Sequence, residues 1–119
     1  MSTLKANAFQ DTSGRGFYPA RLWVQYSSTV GTVVLQNDEG VSSVTDNGNG
    51  NQTTNFSITL SSNKYGLSGS AGGALPGYGS RCLLPNAMNT TSAQVYMQWH
   101  GNSTYYDSNH NAVIIHGDM

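Results

Sequence analysis

The sequence predicts an all-β fold: a small antiparallel β-sandwich of seven or eight strands behind an extended N-terminal arm. Three observations carry this expectation. Gly, Ser, Thr and Asn contribute 14, 15, 11 and 12 of the 119 residues, a balance that disfavours helices and favours turns and strands. Several segments alternate apolar and polar side chains with period two, and none keeps a helical period. Turn residues recur at the short spacing of a sandwich. Two Trp, seven Tyr and three Phe supply the apolar area that argues against disorder. The length suits one domain.

Taken in order, residues 1–19 hold Gly14, Gly16 and Pro19 among scattered apolar residues and read as an arm ordered by docking on a partner. Leu4, Phe9, Phe17 and Tyr18 are its candidate contacts. The sandwich domain is expected over residues 20–119. Leu22, Val24 and Tyr26 fall on one face of a first strand, with Arg21, Trp23 and Gln25 opposite, which points to a second contact surface beyond a single core. Residues 33–35 form the next strand after the break at Gly31.

Residues 41–45 and 53–60 form the clearest hairpin, because residues 46–51 between them tolerate positive φ. Phe56, Ile58 and Leu60 alternate onto one face of its second strand. Glycines break the stretch 61–85 into short strands and loops. Residues 93–99 alternate Val95, Met97 and Trp99 against Tyr96 and Gln98, the pattern of a strand. Residues 100–111 read as a polar loop dotted with aromatics, and 112–116 as a last core strand.

Charged residues make up 9% of the chain and the formal net charge is −1, so no electrostatic footprint for nucleic acid or an anionic membrane is present. The N-terminus lacks an apolar signal core, and no segment approaches the ~18 apolar residues of a spanning helix. The chain is expected to be made in the cytoplasm without membrane insertion. Cys82, the single cysteine, cannot form an intrachain disulfide and reads as a small buried apolar residue. The sequons at Asn51, Asn55, Asn89 and Asn102 follow from composition.

No catalytic constellation stands out. Gly66-Leu67-Ser68-Gly69 has the wrong spacing for a nucleophile elbow, and no Gly run leads into Lys as a phosphate loop requires. Around Asp46 the calcium-loop positions fall on Gly48 and Gly50, with Ser57 where a bidentate Glu belongs. His100, Asp107, His110 and His116 match no zinc spacing. In a trimer, His116 or His110 could still converge on a three-fold axis. A polysaccharide-cleaving enzyme would need two carboxyl groups roughly 5–9.5 Å apart, and several of the six acidic residues fall in turns or the arm. The expectation is a non-enzymatic protein with no cofactor and no metal.

The loop 100–111 carries most functional content. It sets Tyr105 and Tyr106 among His100, Asn102 and other small hydrogen-bonding residues, a mixture in which rigid aromatic faces supply area and polar side chains adapt. The alternative is that both tyrosines cap the core. Tyr78, flanked by glycines, is a second candidate.

The run Ala20-Arg21-Leu22-Trp23-Val24-Gln25-Tyr26, Gly31-Thr32-Val33, Val41-Ser42-Ser43-Val44-Thr45-Asp46-Asn47-Gly48-Asn49-Gly50 and Thr54-Asn55-Phe56 resembles the C-terminal domain of many tail-fibre proteins of marine phages, cyanophages especially. The leading segment 4–14 and the closing Val113-Ile114-Ile115-His116-Gly117-Asp118 are similar to that family's lead and terminal strand. The likeness covers about the first half and the last strand. It departs from the family at Tyr26-Ser27-Ser28-Thr29-Val30, and the Gly-rich middle matches nothing in it. The resemblance implies a homotrimeric, non-enzymatic virion protein that recognises a host-surface receptor, a glycan foremost. Its arm would hold other virion proteins. The alternative it leaves is a purely structural virion protein, a capsid decoration or tail-attachment fibre without receptor binding.

Overall fold

The computed structural model describes residues 12–14, 21–29, 32–72, 81–99 and 104–116. They form eight strands and no helix: β1 (Leu22–Thr29), β2 (Thr32–Glu39), β3 (Val41–Gly48), β4 (Asn51–Phe56), β5 (Gly66–Gly72), β6 (Arg81–Met88), β7 (Ser92–Trp99) and β8 (His110–His116). Two antiparallel four-stranded sheets result, ordered β2-β1-β8-β5 and β3-β4-β7-β6. The fold is thus all-β and sandwich-like. The expected arm over residues 1–19 lies outside the described residues apart from 12–14.

The core follows from the period of the strands. Leu22, Val24 and Tyr26 of β1 and Val113 and Ile115 of β8 face Ala93, Val95 and Met97 of β7 and Phe56 of β4. Each large apolar side chain buried this way contributes about 1.5–3 kcal/mol. Inner positions of β4 are also taken by Gln52 and Thr54, both fully buried.

Gly40 alone links β2 to β3 and carries the chain from an edge of one sheet to an edge of the other. Its φ is +76°, and a Cβ there would strike the Leu22 side chain, so only glycine fits. Residues 57–65 cross at one end. There Leu60 and Tyr65 are buried, Tyr65 meets Phe56 edge-on at 6.2 Å, and its hydroxyl donates to the Asn89 carbonyl at 2.9 Å. Burial raises the Tyr65 phenol above its ordinary value. At the opposite end the Asn111 carboxamide donates to the Ser108 carbonyl (2.9 Å) and to Ser28 Oγ (3.1 Å) inside the core.

Several boundaries differ from expectation. The hairpin connection expected over 46–51 shrinks to Asn49 and Gly50, because Asp46 and Gly48 pair with Gln52 and Asn51 in the ladder. The strand expected through Leu60 stops at Phe56, where the Phe56 and Ser57 N–H groups donate to Thr91 and Gly40. The strand expected over 33–35 runs from Thr32 to Glu39, with a bulge opposite Gln25 and Tyr26. His110 and Asn111, expected in a loop, open β8. Cys82, expected to be buried, is only half-buried, because it pairs with Gln98 on the outward register of β6 and β7.

Candidate functional site

The outer face of the β3-β4-β7-β6 sheet is built by the side chains that the core alternation turns outward. On β7 these are Ser92, Gln94, Tyr96 and Gln98, all half-buried between the buried Ala93, Val95 and Met97. On β4 they are Asn51, Thr53 and Asn55. The ladder sets Asn51 opposite Tyr96, and Leu84 of β6 opposite Tyr96 on its other side.

Tyr105 joins this face from the β7–β8 connection. A β-bridge pairs it with Gln98, and its ring stacks on Tyr96 with centroids 4.6 Å apart and planes 22° from parallel. Tyr105 remains 40% exposed and Leu84 beside the stack 38%. The result is an apolar aromatic step on an otherwise polar sheet.

The bridge is held from below. The Tyr106 N–H donates to the Met97 carbonyl (3.0 Å), and the Met97 N–H to the Gly50 carbonyl (2.8 Å). The Asp107 carboxylate accepts from the Gly50 N–H (2.8 Å) and from Gln52 Nε2 (3.3 Å). Gly50 sits at φ +63°, and a Cβ there would come within 2.5 Å of the Tyr106 nitrogen. A turn that accepts the overlying strand this closely needs glycine.

Carboxamides continue the face across the sheet. Asn86 Nδ2 donates to Gln94 Oε1 at 2.9 Å, and Gln94 Nε2 to Asn51 Oδ1 at 2.8 Å. Asn47 Nδ2 reaches Asn51 Oδ1 at 3.4 Å and Thr53 Oγ1 at 2.7 Å. Asn55 Nδ2 donates to Ser43 Oγ (3.0 Å) and Thr45 Oγ1 (2.8 Å). The row therefore runs from β6 to β3 through side chains that fix one another.

Of the candidates read from sequence, Tyr105 and Tyr106 are described and differ. Tyr105 lies on the outer face, while Tyr106 is half-buried. Tyr78, His100, Asn102, Leu4, Phe9, Phe17 and Tyr18 lie outside the described residues. Sequence reasoning missed Tyr96, Gln94, Asn51 and Asn86. Their signal was present for β7, whose outward register holds Gln94, Tyr96 and Gln98, but nothing local shows which loop covers that face.

On the first sheet, the Gln25 carboxamide nitrogen lies 3.3 Å from His110 Nδ1 and donates to it when that nitrogen is unprotonated. Trp23 pairs with Ile114 on the same outward register, both half-buried. Among the described residues no group of three or more His, Cys, Asp or Glu could hold a metal ion, and no helix is long and apolar enough to cross a membrane. Comparison with known proteins found no matching family model, no matching curated protein and no matching solved structure.

Proposed function

We propose that this chain is a non-enzymatic recognition protein of a phage particle, of tail-fibre type, which binds a host-surface glycan as a homotrimer. The observation that carries recognition is the Tyr105–Tyr96 stack: an exposed aromatic step, rigidly mounted and flanked by carboxamides. Sugar rings present apolar C–H faces edged by hydroxyls, and such ligands gain affinity from ring contact plus a few placed hydrogen bonds. The phage assignment rests on the resemblance of the runs 20–26, 31–33, 41–50, 54–56 and 113–118 to tail-fibre domains.

Support for self-association comes from β2. It is an edge strand whose Val34 is 50% exposed and Leu35 38%, and exposed apolar edges invite pairing with another chain. In this reading residues 1–19 attach the trimer to other virion proteins. The same edge also favours the second reading, a structural virion protein that binds no receptor.

Labelled protein retained on cells of the infected strain, and displaced by glycan released from those cells, is the result expected. Retention that released glycan does not reduce would remove the glycan, and no retention at all would favour the structural reading.

A further inference from the structure

We infer that the ligand is an uncharged, extended oligosaccharide lying across the outer face of β6, β7, β4 and β3, with the Tyr96–Tyr105 step as its anchor. This rests on the recognition reading above and adds the extent and charge class of the site.

The extent follows from the carboxamide row. Asn86, Gln94, Asn51 and Asn47 stand on four successive strands and are joined by hydrogen bonds of 2.9, 2.8 and 3.4 Å. At the usual strand spacing the row spans roughly 14 Å, a length that fits several linked sugars and exceeds one ring. Every carboxamide carries two donor hydrogens and an acceptor oxygen. Each can hold its neighbour with one group and offer another to a ligand hydroxyl, which also acts both ways. Because the row is already fixed, binding orders few further side chains.

The charge class follows from what the face lacks. The described outward side chains of these strands are Ser, Thr, Asn, Gln, Tyr, Leu and Cys. Asp46 belongs to the opposite register and accepts from the Gly48 N–H at 3.1 Å. A sulfate or carboxylate laid on this row would lose hydration with no cation among these described side chains to compensate, whereas a hydroxyl exchanges one neutral hydrogen bond for another.

The experiment titrates the full chain with neutral cello-, manno- and malto-oligosaccharides and with anionic alginate and sulfated galactan fragments, reading side-chain amide resonances. A neutral oligosaccharide is expected to shift the Asn51, Gln94 and Asn86 amides, with affinity insensitive to salt. Gln94→Glu, which puts a carboxylate in mid-row, should weaken that binding at least tenfold with melting unchanged, while Ser68→Glu on the other sheet should leave it intact. Binding that depends on Tyr105 but prefers an anionic fragment, or that ignores Gln94→Glu, overturns the row and leaves the aromatic reading standing. Binding that survives Tyr105→Ala overturns the aromatic reading itself. Absence of shifts with every fragment contradicts the inference.

Discussion

The Asp107 carboxylate accepts the backbone N–H of Gly50 at 2.8 Å, which fastens the segment bearing Tyr105 to the β3–β4 turn. The aromatic step is therefore part of the sandwich and not a free loop tip. Gln52, buried in the core, donates to the same carboxylate oxygen, so the clamp reaches from the surface to the interior.

Replacing Asp107 with Ala should lower stability by about 1–3 kcal/mol, since two donors lose a charged acceptor. It should also weaken ligand binding beyond the loss of folded protein, because Tyr105 loses its support. Denaturant melts and binding on the same sample check this. An unchanged melt would show that the clamp carries no weight.

Gly50→Ala should be costlier than Gly48→Ala. Both glycines have positive φ, but a Cβ at Gly50 meets the Tyr106 and Met97 backbone, whereas at Gly48 it meets nothing within 4 Å. Left-handed strain alone costs roughly 1–3 kcal/mol, and Gly50→Ala adds backbone displacement to it. Equal melting midpoints for the two variants would contradict the close approach.

The chain should unfold in alkali. Burial, and secondarily the Asp107 charge, raise the Tyr26 phenol far above its ordinary value of about 10. The folded state thus holds this proton to higher pH than the unfolded state. Stability from the neutral phenol is complete below about pH 10 and is lost as pH rises from there towards the folded value. Tyr65, also raised, adds to the loss in the same sense. Tyr26→Phe should flatten part of the decline in melting temperature above about pH 10, and a decline identical to the parent chain would exclude Tyr26 as a cause.

The legible part of this fold was the period-two alternation. Leu22, Val24 and Tyr26 on β1, and Val95 and Met97 on β7, announced their burial because apolar and polar residues strictly alternate there. β4 was harder, since its inner face presents Gln52 and Thr54 and only Phe56 looks apolar. The tight turn at Asn49 and Gly50 was hidden because Asp46, Asn47 and Gly48 have turn composition yet extend β3. Tyr105 stood out in the sequence as a candidate from its loop context, and the structure places it exposed on the outer face. Its partner Tyr96 did not, because their stacking depends on the chain returning over the end of β4, a tertiary event without local signature.

If three copies assemble through the β2 edge, Val34→Lys should reduce the mass in solution from three chains to one. The surface substitution should shift the stability of each chain by no more than about 0.5 kcal/mol. Light scattering decides between them. A monomer in the unsubstituted protein at micromolar concentration would contradict trimerisation, and a trimer unaffected by the lysine would move the interface elsewhere.

The proposed receptor contact is the exposed Tyr105 ring stacked on Tyr96. Its most direct measurement is melting temperature and adsorption to host cells on one preparation of Tyr105→Ala. The ring is partly exposed, and the stack is worth about 0.5–1.5 kcal/mol, so melting should fall only slightly while adsorption drops at least tenfold. Full adsorption with an intact melt would contradict the claim, as would a large loss of stability that accounts for all of the lost binding.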